Sequence, residues 1–163
     1  MTCNKCGKAE FRAEVRAHEY RSAGLPYSVV LVGVPVESCP ACGEEVVTIP
    51  DAEGLHRLLA LSIVELERPL LPQEVRFLRK LLDKSAEDMG RLMGVDAKTL
   101  SRWENGHQKM GKVAERLLRL MVHQRLAPEA ANFAEDLFPN LHEDGEATAV
   151  TFTSSSAGWR QAA

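Results

Sequence analysis

The four cysteines of this 163-residue chain stand in two pairs of equal spacing, an arrangement that can bind a metal ion. The pairs are Cys3 with Cys6 and Cys39 with Cys42, and a glycine follows each pair directly. Two intervening residues let a tight turn aim both sulfurs at one ion, and four thiolates complete a tetrahedral zinc site with no open position. The spacing therefore predicts one structural, non-catalytic zinc ion per chain, although iron is chemically compatible with the same ligands.

Three other uses of the cysteines agree less well with the sequence. Disulfides form in oxidising compartments, and nothing in the sequence indicates one. A thioredoxin-like redox pair usually needs one C-x-x-C between a strand and a helix, and neither pair has that context. Four buried free thiols at this spacing would be an odd coincidence, so a metal site is the favoured interpretation.

The chain between the two cysteine pairs must fold back on itself, because their separation exceeds that of an ordinary zinc ribbon. Residues 11–21 alternate between charged and less polar side chains, and residues 27–36 are rich in valine. Gly-Leu-Pro at 24–26 marks a turn between them. The pattern predicts antiparallel strands that bring the second pair beside the first. A domain this small has a marginal core, so the metal is expected to stabilise it.

A second group of side chains has the types that contact nucleic acid. Arg102 can pair bidentately with a guanine, and Lys98 can reach a guanine or a phosphate. Ala97 is small enough for close approach or contact with a thymine methyl group, and the polar segment 105–109 can offer backbone N–H groups and a lysine to phosphates. The predicted DNA-contacting residues are Ala97, Lys98, Ser101, Arg102, Asn105 and Lys109.

Two short helices joined by a tight turn would position these side chains. Ser85 caps the first helix, and Gly94 ends it, because glycine accepts the left-handed conformation of a tight turn. Asp96 caps the second helix, and Asn-Gly at 105–106 stops it. The expected buried residues are Met89, Leu92 and Met93 in the first helix and Leu100 and Trp103 in the second.

Gly90 supplies the small residue that two helices crossing steeply at close range require, despite its cost of about 1 kcal/mol in a helix interior. The spacing from Gly90 through the turn to Trp103 is that of a helix-turn-helix. The alternative is a helical hairpin with a solvated charged face. The complete spacing favours DNA binding.

Charge is distributed unevenly along the chain. The net charge is −3, yet residues 69–125 hold 12 Lys and Arg against 7 Asp and Glu. Residues 1–68 hold 7 against 10, and residues 126–163 hold 1 against 6. Because DNA binding requires neutralisation of phosphates, the positive segment is where the helix-turn-helix needs it, and the acidic segments should face away from DNA.

The composition and the remaining motifs argue against several classes of protein. No segment reaches the 18 or more apolar residues of a membrane span, and the N-terminus has no signal-peptide pattern, so a cytoplasmic protein is expected. The five histidines form no ligand spacing with acids or cysteines. No nucleophile–base pattern, phosphate-cradling glycine loop or carboxylate pair indicates an enzyme.

The sequence predicts an α+β protein whose first part is residues 1–68. This part is a small β-rich zinc-binding domain that ends in a linking helix over residues 51–67. The linking helix carries an apolar stripe and exposes Arg57 and Glu65. Its stripe consists of Leu55, Leu58, Leu59, Ser62, Ile63 and Leu66.

The second predicted part is an all-α, five-helix domain over residues 69–137, beginning near Pro72, which suits a first helical position. A helix over residues 110–123 is expected to bury Val113, Leu117, Leu120 and Met121, and a last helix is expected over residues 128–137. The third part, residues 138–163, is an acidic tail with a short strand near 149–153. Trp159 is interpreted either as an anchor against the protein or a partner, or as part of a disordered end.

The segment RLMGVDAKTLSRWENG, residues 91–106, resembles the Xre/Cro family of bacterial regulators. The resemblance covers about residues 69–137 and implies a five-helix DNA-binding domain. Lys98 departs from the family, whose members often have an uncharged polar residue at that position. The sequence therefore does not indicate which DNA base position 98 prefers.

The order of parts resembles the MqsA-type antitoxins, also described as YgiT-type zinc-finger/helix-turn-helix proteins. The matching features are the C-x-x-C-G knuckle, the valine-rich strand, CPACGEE at 39–45, the linking helix, LPQEVRFLRKLL at 71–82 and the Xre-like unit. The resemblance covers about residues 1–137. It implies a dimeric repressor that binds its own promoter, and a zinc domain that neutralises a small toxin, typically an mRNA-cleaving one, encoded beside it.

Two alternatives have the same architecture. One is a stand-alone zinc-containing regulator without a toxin. The other is a redox or metal sensor whose thiolates switch DNA binding, although four ligands with no open position favour a structural site. In each case a dimer is expected to bind a palindromic operator.

Overall fold

The computed structural model describes residues 2–127 and 149–162 and divides the chain into two units. The first unit comprises residues 1–21, 28–55 and 149–163, and the second comprises residues 22–27 and 56–148. The strands are β1 (Arg12–Glu19), β2 (Val29–Ser38), β3 (Glu45–Val47), β4 (Val150–Ser155) and β5 (Gly158–Gln161). The helices are α1 (Ala52–Val64), α2 (Pro72–Leu81), α3 (Ala86–Met93), α4 (Ala97–Glu104) and α5 (Lys112–Leu126). The predicted mixture of helices and a sheet is confirmed.

β1 and β2 form the antiparallel pair that was predicted between the two cysteine pairs. Their register begins with Arg12 opposite Ser38 and ends with Glu19 opposite Val30. β3 pairs with β2 on the other side, near its end. Successive side chains of a strand point to opposite faces, so alternate apolar residues of β2 are buried before and after the irregularity between Leu31 and Val34. These buried residues are Val29, Leu31, Val34 and Val36.

A C-terminal hairpin of β4 and β5 extends this sheet. β4 pairs with β2 in parallel, starting with Val150 opposite Val29, and β5 pairs with β4 in antiparallel fashion. Phe152 is fully buried. The indole Nε1 of Trp159 donates to the carbonyl oxygen of Pro50 at 2.8 Å. Trp159 is therefore an anchor within the chain.

The linking helix and the start of the helical unit agree with the sequence predictions. α1 buries Leu55, Leu59 and Ile63, and Arg57 is exposed. α2 begins at Pro72, whose restricted φ suits the first turn of a helix and whose missing N–H costs nothing there.

The buried face predicted for the helix that became α5 is wrong. Val113 is 82% exposed and Leu120 is 41% exposed, whereas Leu118 and Val122 are fully buried. Leu92 of α3, also expected to be buried, is 55% exposed. α5 carries more apolar residues than one face can hold, so its apolar pattern is compatible with more than one rotation of the helix.

A buried arginine explains the rotation that α5 adopts. The guanidinium of Arg119 is fully buried and donates to Glu115 Oε1 at 2.8 Å. It also donates to the carbonyl oxygens of Val64 at 2.9 Å and Arg68 at 2.6 Å. Because the carbonyl acceptors lie at the last residue of α1 and in the segment that follows it, α5 turns Arg119 toward them and leaves Val113 exposed.

Some sequence predictions fall outside the described residues, namely the helix over 128–137 and the acidic segment 142–146. The boundaries proposed at residues 68 and 137 stay predictions. Within residues 2–127 and 149–162, none of the helices combines the length and apolarity needed to cross a membrane.

Candidate metal centre and nucleic-acid interface

The same backbone hydrogen bond closes the turn at each cysteine pair. The amide of Gly7 donates to the carbonyl oxygen of Cys3 at 2.8 Å, and the amide of Gly43 donates to that of Cys39 at 2.9 Å. Gly7 and Gly43 have φ values of +64° and +70°. Residues with a Cβ atom rarely adopt this conformation, so C-x-x-C-G specifies the shape of the turn as well as its ligands.

The β1–β2 pair brings the two turns together. β1 begins shortly after the first turn and β2 ends directly before the second, and Arg12 lies opposite Ser38. All four Sγ atoms consequently lie within 4.8 Å of one another. The Sγ atoms of Cys3 and Cys42 are 3.7 Å apart, as are those of Cys6 and Cys39.

These separations fit a tetrahedral metal site. Four sulfurs placed about 2.3 Å from a zinc ion at tetrahedral angles lie roughly 3.8 Å from one another. The observed separation of 3.7 Å is close to that value. A disulfide requires about 2.05 Å, and all four cysteines are free thiols in the structure. The four cysteines are therefore positioned to bind a metal ion.

The electrostatics of the cluster also favour a bound cation. Burial opposes ionisation of Cys39, but backbone hydrogen bonds from Ala41 and Cys42, together with those of the Cys42 and Cys6 thiols, lower the pKa of Cys39 to about 7. A backbone hydrogen bond from Glu44 favours the Cys42 thiolate, yet burial and the neighbouring thiols raise the pKa of Cys42 to about 12. Cys39 therefore loses its proton more easily than Cys42, and a cation between the sulfurs would favour the thiolate form of both.

The caps and the turn around α3 and α4 form as predicted. Ser85 Oγ accepts a hydrogen bond from the amide of Asp88 at 3.0 Å. Asp96 Oδ1 accepts one from the amide of Thr99 at 2.6 Å. Gly94 lies between the helices with a φ of +69°. The sequence signals at these helix ends therefore correspond to hydrogen bonds.

Gly90 makes the close contact expected of it. A Cβ atom at this position would lie 2.6 Å from the carbonyl oxygen of Val95 and 3.4 Å from the amide nitrogen of Ala97. Any larger residue would collide with the backbone that leads into α4.

The predicted contact residues of α4 lie on its solvent side. Leu100 is fully buried and Trp103 is nearly so, and Ala97 is half-buried. The exposed residues are Lys98, Ser101 and Arg102. Hydrogen bonds with Thr99 lower the pKa of Asp96, and the charges of Arg102 and Lys98 lower it further. The exposed side of α4 therefore carries two cations, Lys98 and Arg102, and its N-cap carboxylate is held in the charged form.

The loop after α4 uses its amides within the chain. The amide of Asn105 donates to the carbonyl oxygen of Ser101 at 3.1 Å, and that of His107 to Arg102 at 2.9 Å. The Asn105 side chain donates to Ser101 O at 2.7 Å and accepts from Arg76 at 2.6 Å. The amides of Asn105 and His107 are therefore bonded within the chain, and phosphate contacts from this segment stay a prediction. Lys109 is exposed, and its role, like that of Asn105, stays a prediction.

Sequence reasoning missed the ion pairs that hold α4 against α2. Glu104 is 6% exposed, and its Oε2 accepts from Arg79 Nη2 at 3.0 Å. Arg76 Nε lies 3.6 Å from the same carboxylate oxygen. Residues three apart share a helix face, so the spacing of Arg76 and Arg79 was the available signal, but it did not identify their partner.

The family model described as the antitoxin component of a bacterial toxin-antitoxin system, MqsA, matches residues 1–130. The matched residues include both cysteine pairs and all of α1 to α5, whereas β4 and β5 lie beyond them. No curated protein matches the chain.

Proposed function

This chain belongs to the MqsA antitoxin family, and on that premise we propose that it is a zinc-containing, DNA-binding repressor of its own operon. In this proposal α3 and α4 are a helix-turn-helix, and α4 enters the major groove. The protein binds as a homodimer at a palindromic operator. Its cysteine-bearing unit holds one structural zinc ion and neutralises a toxin, and the chain performs no catalytic step.

The exposed face of α4 carries the DNA-binding proposal. Lys98 lies in the N-terminal half of α4, the half with which recognition helices reach base edges, and Arg102 lies one turn further on. Both side chains are exposed, whereas Leu100 is buried. A guanidinium can contact guanine O6 and N7 together, which makes Arg102 the principal candidate for base recognition. Ala97 and Ser101 would face the DNA near Lys98 and Arg102. Asn105 and Lys109 would contact the sugar-phosphate backbone of the DNA.

Replacing Arg102 by Ala is expected to weaken operator binding by about 1–3 kcal/mol and to relax specificity at one base pair, because a bidentate contact is lost. Lys98→Ala is expected to weaken binding as well. The measurement is fluorescence anisotropy at fixed salt with DNA from upstream of the gene. Arg125→Ala, an exposed cation in the last turn of α5, is the control. Unchanged affinity and specificity in both α4 variants would contradict the assignment of α4.

The dimer has a separate test. A two-fold dimer requires half-sites about 10 bp apart or a multiple of that spacing. Footprinting is expected to show two protected half-sites related by a palindrome. A single half-site would show that the protein binds as a monomer.

The zinc proposal rests on the four thiols and the spacing of their sulfur atoms. Metal analysis is expected to find one zinc ion per chain. Cys39→Ser is expected to lose the metal and to unfold the first unit, because metal-binding energy is folding energy in a small metal domain. Ser38→Ala changes the neighbouring residue and leaves all ligands in place, so it serves as the control. A folded, metal-free wild-type protein would refute the proposal of a metal site. Finding iron in place of zinc would refute the assignment of the metal as zinc.

The toxin proposal distinguishes an antitoxin from a stand-alone regulator. A small reading frame beside this gene is expected to encode a protein that arrests growth when expressed alone. Co-expression of this chain is expected to restore growth and to yield a complex of the two proteins. Intact operator binding without a toxic neighbour would favour the stand-alone regulator.

A further inference from the structure

A cleft in the second unit has features of a binding site for a small anion. Its volume is about 320 Å³, within the range of small-ligand sites, which begins at roughly 300 Å³. Arg76 and Lys80 of α2 line it together with His56, Phe77 and Ser22. No acidic side chain is among the described residues that line the cleft.

The wall of the cleft formed by residues 22–24 is held in place by a neighbouring side chain. Tyr27, three residues further on, donates its hydroxyl to Glu74 Oε1 of α2 at 2.7 Å. Arg68 Nη2 donates to the same oxygen at 2.7 Å, and its guanidinium lies over the Tyr27 ring. The loop is therefore attached to α2 by the Tyr27 hydrogen bond to the buried carboxylate of Glu74, and the cleft is part of the folded unit.

The charge at the cleft is positive. Arg76 and Arg79 share the single carboxylate of Glu104, so the two arginines exceed their acidic partner by one charge. Lys80 is exposed and adds a second positive charge. The ring of Phe77, which also lines the cleft, meets that of His56 edge-on with centroids 5.7 Å apart and provides an apolar surface.

We propose that this cleft binds a small organic anion, one that carries a phosphate or carboxylate group on a compact apolar body. The anionic group lies between Arg76 and Lys80, and the apolar body packs on Phe77. Charge-assisted hydrogen bonds to a guanidinium and an ammonium supply the binding energy.

The cleft connects to α4 through Arg76. Its Nη2 donates to Asn105 Oδ1, the residue that caps the C-terminal end of α4, at 2.6 Å. An anion that engages Arg76 competes with this hydrogen bond. Anion binding therefore weakens DNA binding, and by linkage DNA weakens anion binding by the same factor. This second step, unlike binding itself, rests on the proposed function.

Calorimetry on the full-length, metal-loaded protein tests binding without DNA. The probes are phenyl phosphate and inorganic phosphate, with chloride at matched ionic strength as the blank. Phenyl phosphate is expected to bind once per chain and more tightly than inorganic phosphate. Lys80→Ala is expected to weaken it by about tenfold, and Lys80→Arg to restore most of the affinity. Lys84→Ala, an exposed lysine outside the cleft, is expected to change it less than about twofold.

Two results would overturn the binding proposal: the absence of phenyl phosphate binding, or equal affinities in wild type and Lys80→Ala. Operator affinity measured with saturating phenyl phosphate then tests the coupling, and an unchanged affinity refutes the coupling alone. If Lys80→Ala loses operator affinity and wild type binds no phenyl phosphate, the cleft contacts a DNA phosphate and the proposal is wrong. A protein that binds phenyl phosphate but no DNA contradicts the proposed function and leaves the cleft assignment intact.

Discussion

At Gly90 a single hydrogen atom stands where any side chain would meet the backbone of the turn between α3 and α4. The obstacle is the carbonyl oxygen of Val95, 2.6 Å from the position of a Cβ atom. A backbone oxygen cannot rotate away as the end of a flexible side chain can. The higher helix propensity of alanine, about 1 kcal/mol, is therefore outweighed by the strain of the contact.

Gly90→Ala is accordingly expected to lower the free energy of unfolding by about 1–3 kcal/mol, the usual cost of inserting a group into a packed site. Urea unfolding of the metal-loaded protein measures it. Glu87→Ala changes an exposed residue of the same helix and is expected to stay within about 0.5 kcal/mol of wild type. Equal free energies of unfolding for Gly90→Ala and wild type would show that α3 and the turn before α4 can move apart without loss of stability.

Among the elements, α5 owes its orientation to a buried charged side chain, Arg119, more than to its leucines. Arg119 is fully buried, and its guanidinium joins Glu115 to the carbonyl oxygens of Val64, at the end of α1, and of Arg68. Glu115 Oε1 in turn accepts from the amide of Leu70 at 3.2 Å. The network satisfies backbone groups that would otherwise be buried without partners.

Arg119→Met is expected to destabilise the protein by about 3–5 kcal/mol, because it leaves the Glu115 carboxylate buried without its positive partner. Arg116→Met is the matched control, since Arg116 lies on the same helix and is exposed. Thermal and urea unfolding of both variants measure the change in the free energy of unfolding. Similar losses in the two variants would mean that the buried network contributes no more than the surface arginine.

At the scale of the whole molecule, the cysteine-bearing unit is assembled from two distant parts of the chain. The hairpin of β4 and β5 lies beyond the residues matched by the family model and yet extends the same sheet as β1 and β2. Phe152 is its fully buried residue, and Trp159 binds the carbonyl oxygens of Pro50 and Asp51. We expect the metal-bearing unit to depend on this hairpin for stability.

Phe152→Ala is expected to destabilise that unit by about 3–5 kcal/mol through the cavity it leaves. Trp159→Phe keeps an aromatic ring, although a smaller one, and loses the indole N–H donor, so a smaller loss of about 1 kcal/mol is expected. Arg160→Ala, an exposed residue of β5, is the control. Metal release during urea unfolding reports on the unit directly, and unchanged release in Phe152→Ala would show that the hairpin does not support the metal-bearing unit.

The sequence by itself determined the features that depend on residues close together in the chain. The turns at Cys3 and Cys39, the caps at Ser85 and Asp96 and the start of α2 involve hydrogen bonds or restrictions within about four residues, and each is readable from residue type and spacing. The strands between the cysteine pairs followed in the same way from alternation and an intervening turn. The family was also readable from the order of these local motifs.

Only the tertiary structure decided which distant groups meet. The parallel pairing of Val29 with Val150 joins residues far apart in sequence, and strand patterns carry no information about such partners. The rotation of α5 was equally undetermined, because its apolar residues cover more than one face and a buried Arg119 selected among the rotations. Periodicity indicates that a face is buried, whereas the identity of that face depends on groups in the rest of the fold.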